Sequence, residues 1–225
     1  MKSFLVKRVQ AFVLIAVFSA ASSLAPAHAG TRADFFRAVK VDDAGAVHAL
    51  LARGFDVNAR DAHGDPALLV AVRDHADKVV QLLLDSAGID VDAANRAGDN
   101  ALMLACLHGD DALVRQMIDE GASVDKPGWT PLAYAATDGH AAIARLLIKH
   151  GARVDAPAPN GTTPLMMAAY FGHLGTVRVL LAAGADPRRR NAMGYRAIDL
   201  ALRRGHRAVA DALGAAMNGR KPGNW

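Results

Sequence analysis

Residues 128–151, GWTPLAYAATDGHAAIARLLIKHG, decide the fold. Thr130 followed by Pro131 is a helix start: the threonine oxygen can accept from an unpaired backbone N–H, and proline at the first helical position loses no bond. Leu132, Ala135 and Ala136 then share one face at helical spacing. Gly139-His140 interrupts the run, and Ile143, Leu146 and Leu147 form a second apolar stripe that Gly151 closes. The stretch therefore predicts two short antiparallel helices.

Working outward, the helix-start apolar residue recurs as Phe35, Leu68, Leu102, Leu132, Leu165 and Ile198, at spacings of 33, 34, 30, 33 and 33. The glycine that closes the second helix recurs independently as Gly54, Gly88, Gly121, Gly151 and Gly184. Two anchors with nearly one period predict six stacked repeats.

Thr130-Pro131-Leu132, Thr163-Pro164-Leu165 and the pairs Gly139-His140, Gly172-His173 and Gly205-His206 make the chain resemble the ankyrin repeat family, whose unit is about 33 residues long. The strand-like Asp56-Val57-Asn58 adds support. The resemblance covers about residues 31–216. It implies an all-α solenoid of about six helix-turn-helix repeats with short β-hairpin fingers. Pro66-Ala67 and Asn100-Ala101 stand where Thr-Pro is expected, so the second and third repeats should start more loosely. No repeat has histidine after the leucine.

The chain opens with Lys2, Lys7 and Arg8, an apolar run from Ala11 to Ala21, and Ala27-His28-Ala29. That is the pattern of a secretory signal, with cleavage after Ala29 and retention as an anchor as the alternative. The run is shorter than the about 20 residues a membrane span needs. The organisation read from the sequence is thus a signal over residues 1–29, a repeat domain over 30–216 and a flexible tail over 217–225. The destination expected is the bacterial periplasm, or secretion.

Past the signal the charges separate. Residues 30–187 hold 14 basic and 20 acidic residues, whereas 188–225 hold 9 basic and 2 acidic. Arg188, Arg189, Arg190, Arg196, Arg203, Arg204 and Arg207 supply most of the positive end. A terminal repeat needs a polar outer face, so a solvated cap is one reading. Docking to an acidic partner, anionic lipid or lipopolysaccharide is the other. Nucleic acid is a poor partner in that compartment.

Cys106 is the single cysteine, so no intramolecular disulfide is available. Its slot holds alanine at 136 and 169, which predicts a buried, inert thiol. No cysteine-pair zinc pattern, His-Glu-x-x-His, phosphate loop or nucleophile elbow occurs. The sequence therefore points to no enzyme, no cofactor and no metal. His140, His173 and His206 recur at the repeat period, too far apart for one ion at about 10 Å per layer. Each is expected to hydrogen-bond its local turn.

The aromatic residues gather late in the chain: Trp129, Tyr134, Tyr170, Phe171 and Tyr195 all lie in repeats four to six. The resemblance places the residue after each fingertip glycine on the concave surface, a series reading Asp65, Asp99, Trp129, Thr162 and Tyr195. The series continues on the first helices as Arg73, Leu107, Thr137, Tyr170 and Arg203. The finger before Trp129 is three residues short, which predicts a notch between Asp99 and Thr162. The expected binding surface is Asp99, Trp129, Thr162, Tyr170, Phe171 and Tyr195, an exposed aromatic patch of the kind that forms hot spots. Packing of Tyr134 and Phe171 between repeats is the alternative. Met103 and Met166 read as core. The function expected is a monomeric, non-enzymatic scaffold holding a periplasmic protein in its concave face. An envelope adaptor acting through the arginine-rich end is the second reading.

Overall fold

The computed structural model describes residues 31–219, and the expected signal, its cleavage site and residues 220–225 lie outside that range. Twelve helices form six antiparallel pairs among the described residues: α1 (Arg32–Lys40) with α2 (Ala44–Leu51), α3 (Ala67–Arg73) with α4 (Asp77–Leu84), α5 (Ala101–His108) with α6 (Asp111–Asp119), α7 (Pro131–Asp138) with α8 (Ala141–Lys149), α9 (Pro164–Phe171) with α10 (Leu174–Ala182), and α11 (Ala197–Arg203) with α12 (Arg207–Met217). The first helices pack more closely on one another than the second helices do, so they line the inside of the curve. No helix is long and apolar enough to cross a membrane among the described residues.

The helix starts follow from their caps. Thr130 accepts from the backbone N–H of Ala133 at 3.2 Å and Thr163 from that of Met166 at 3.3 Å, each with proline at the first position. The third repeat is not loose as expected. Asn100 is buried and accepts from Met103 N at 3.1 Å, because asparagine offers the same acceptor as threonine. In the second repeat Pro66 occupies the cap position and supplies no side-chain bond.

Each layer is thin because small residues sit where helices meet. Ala71, Ala105, Ala135 and Ala168 are fully buried in successive first helices, and one continuous apolar cluster runs through all six pairs. Cys106 lies in this cluster, and burial pushes its thiol well above the usual range. Met103 and Met166 are core residues. Polar side chains tie neighbouring layers together: Asn58 donates to Gly88 O and accepts from Asp90 N, Asp92 accepts from Ser123, and Asp155 accepts from Asp186 N.

The fingers are tight turns, with isolated antiparallel bridges at Arg60–Pro66 and Ala94–Asn100. Val57 and Asn58 form a turn, which corrects the strand-like reading of that triplet. Asp61, Asn95 and Asn191 fold the fingers by accepting from the backbone N–H groups two and four residues on.

Candidate functional site

Repeats four to six carry five aromatic side chains, and the fold holds each in its own way. Trp129 is half-buried in the short fourth finger, its ring edge-on to Tyr134 at 6.5 Å between centroids. Tyr134 is itself fixed from the preceding repeat, donating from its hydroxyl to Asp99 at 2.5 Å. Burial and that carboxylate together push the phenol well above its ordinary range. Lys126 reaches back to the carbonyl of Gly98, so a lysine side chain bridges the gap left by the missing finger residues.

Tyr170 and Phe171 pack edge to face at 4.9 Å, and the guanidinium of Arg204 lies 4.7 Å above the Tyr170 ring. Phe171 is 42% exposed and stacks towards His173. Tyr195 is half-buried, with Arg203 lying 4.8 Å over its ring and donating to its hydroxyl at 3.0 Å. The rings therefore stand in three groups, around Trp129, Tyr170 and Tyr195, with two of the groups roofed by arginine. Thr162 is buried at 7% exposure, and Asp99 is occupied by Tyr134. Side chains pinned in this way lose little rotamer freedom on binding.

The arginine-rich end is also engaged internally. Arg188 donates to the carbonyl of Met217, Arg190 to that of Gly194 at 2.6 Å, and Arg196 forms a two-pronged pair with Asp199. The Arg196 guanidinium holds the Asp199 carboxyl below the usual carboxylate range. Arg203 and Arg204 lie on tyrosines, and Arg189 is exposed at a loop position. The stacking of arginine on tyrosine was not foreseen from sequence, although the eight-residue spacing of Tyr195 and Arg203 repeats that of Asp65 and Arg73. That earlier pair is an ion pair at 2.5 Å, and Asp65 is only 8% exposed.

The histidines correct an expectation. The Nε2 atoms of His140, His173 and His206 lie 2.9, 2.9 and 3.1 Å from the carbonyls of Leu107, Thr137 and Tyr170, one repeat back, and only His140 also reaches its own turn, 3.2 Å from Asp138 Oδ2. The reason is geometric, because the helix-closing carbonyls of one layer face the turn of the next. Among the described residues no cluster of His, Cys, Asp or Glu is placed to hold a metal.

A family model described as ankyrin repeats (3 copies) matches residues 35–127, 79–158, 102–191 and 154–221. Among solved structures, the chain is similar to the crystal structure of an ankyrin repeat domain from Acinetobacter baumannii AYE, at 30% identity and a TM-score of 0.70. That match covers 83% of this chain and 98% of the other. No curated protein matches the chain.

Proposed function

The chain belongs to the ankyrin repeat family, whose members generally act as non-enzymatic protein interaction scaffolds, and from that premise we propose that it binds a partner protein in its concave face, in the bacterial periplasm. The observation that carries this reading is the set of aromatic side chains on repeats four to six, each partly exposed and each braced by an intramolecular neighbour. Preorganised aromatic residues next to arginine are the composition of binding hot spots. The periplasmic location rests on the signal-like residues 1–29.

The arginine-rich end is less favoured as a lipid-docking surface, because most of its guanidinium groups already serve internal partners. Capture from periplasmic extract by the immobilised chain, compared with Trp129→Ala and Tyr195→Ala, tests the reading. Each variant should weaken capture by about 2 kcal/mol or more. Capture through aromatic contacts should persist at high salt, whereas docking led by surface charge should fade. Undiminished capture by both variants would sink the concave-face reading, and a mature protein that does not begin at Gly30 would sink the cleavage.

A further inference from the structure

Repeats one to five bury the same two slots of the first helix. The helix-start position holds Phe35, Leu68, Leu102, Leu132 and Leu165, none more than 2% exposed, and the slot four residues on holds Val39, Val72, Cys106, Ala136 and Ala169, none more than 4% exposed. Both slots are covered in every repeat that a further layer follows. In repeat six they hold Ile198, half-buried, and Leu202, which is 59% exposed. A terminal repeat that only closed the stack would carry polar residues there.

A second feature marks the same face. Over Gly109, Gly139 and Gly172 the space a Cβ would fill is taken by the imidazole of the next repeat, and that imidazole meets the carbonyl two residues before the glycine. Over Gly205 nothing lies within 4 Å among the described residues. Arg203 sits two residues before it, so its carbonyl stands at the position of those of Leu107, Thr137 and Tyr170. The end of repeat six thus offers an apolar slot, a bare glycine and a carbonyl in the arrangement that receives a further layer.

Charge selects the occupant. Arg203, Arg204 and Arg207 flank Leu202 in sequence and stay exposed, although Arg203 and Arg204 also lie over the Tyr195 and Tyr170 rings, so a second copy meeting this face symmetrically would oppose arginine with arginine. The N-terminal end of a second copy fits no better. Its first helix exposes Arg32, Arg37 and Lys40, so basic residues would again face basic residues. We infer that the C-terminal face of repeat six, centred on Leu202 and Gly205, docks a helical partner protein with an apolar centre and an acidic rim, seated as one more layer of the stack. This face is distinct from the concave surface.

The test uses the full chain and a synthetic amphipathic helical peptide with a leucine stripe flanked by glutamates. The expected result is binding that weakens at least tenfold in Leu202→Gln, weakens with added salt, and is unchanged in Trp129→Ala. Leu202 is exposed, so the variant should melt with the wild type, which circular dichroism checks. Equal binding by Leu202→Gln, loss of binding in Trp129→Ala, or equal binding of a lysine-flanked peptide overturns the inference. So does a dimer dispersed by Leu202→Gln, or Leu202-dependent binding to phosphatidylglycerol vesicles.

Discussion

His173 is hydrogen-bonded to a repeat that is not its own: its Nε2 lies 2.9 Å from the carbonyl oxygen of Thr137, and its ring fills the space above Gly139. A carbonyl can only accept, so Nε2 carries the proton in this contact. One imidazole therefore satisfies a helix-closing carbonyl and fixes the spacing of two layers.

Gly139→Ala should be more costly than Gly151→Ala. Both glycines have positive φ, +84° and +96°, which alone makes alanine cost about 1 kcal/mol. At Gly151 the added methyl meets open space, whereas at Gly139 it meets the His173 ring at 2.5 Å. In a double-mutant cycle with His173→Ala, the Gly139→Ala penalty should shrink by roughly 0.5–3 kcal/mol. Urea melts that give the same Gly139→Ala penalty in both backgrounds would count against the ring as the constraint.

Asp42 caps a helix in the next repeat. Its Oδ1 accepts from Val79 N at 3.0 Å, while Ala76, at the cap position of α4, has no side-chain acceptor. Asp42→Ala should cost about 1 kcal/mol, within the usual range for a lost cap, and Asp42→Asn should keep most of the bond. Asp42 also has φ +56°, so Asp42→Gly relieves the backbone but loses the cap. Equal stability of the alanine and asparagine variants would show that the bond to α4 contributes nothing.

Asp65→Ala should lower stability by about 1 kcal/mol, since it removes a charged hydrogen bond to a partly exposed arginine. Asp65 belongs to the same fingertip series as Trp129 and Tyr195, but its carboxylate is folded back onto Arg73. An unchanged melting temperature would show that the bond to Arg73 contributes nothing.

What the sequence made legible was whatever repeats: the Thr-Pro starts, the glycine closures, the alanine slots and the buried Cys106 all carry a period that one repeat predicts for the next. What it hid was contact between layers. Tyr134 and Asp99 are 35 residues apart, and His173 and Thr137 are 36, so no local pattern links them. The concave series was legible as positions but not as environments. Whether a fingertip residue is exposed depends on its neighbour: Arg203 covers Tyr195, Arg73 holds Asp65, and Tyr134 stands beside Trp129.

The stacked rings of His75 and His108, 4.6 Å apart, should make stability depend on pH in the mildly acidic range. Burial first, and then the neighbouring His75, hold the His108 imidazole below its ordinary value of 6.5, with His140 acting in the same direction and Asp110 and Asp138 opposing it. A histidine whose folded-state value is depressed binds its proton more readily when unfolded. Its contribution is therefore complete above about pH 6.5 and is lost as pH falls from there towards the folded-state value. One such group changes stability by at most about 1.4 kcal/mol per pH unit. Phenylalanine already stands at the equivalent position of repeat five, as Phe171, so His108→Phe should fold and should lack this part of the slope. Urea melts of both proteins between pH 5 and 8 measure the difference, to which the other histidines contribute equally. Parallel curves would mean that the His75–His108 stack is not the source of the dependence.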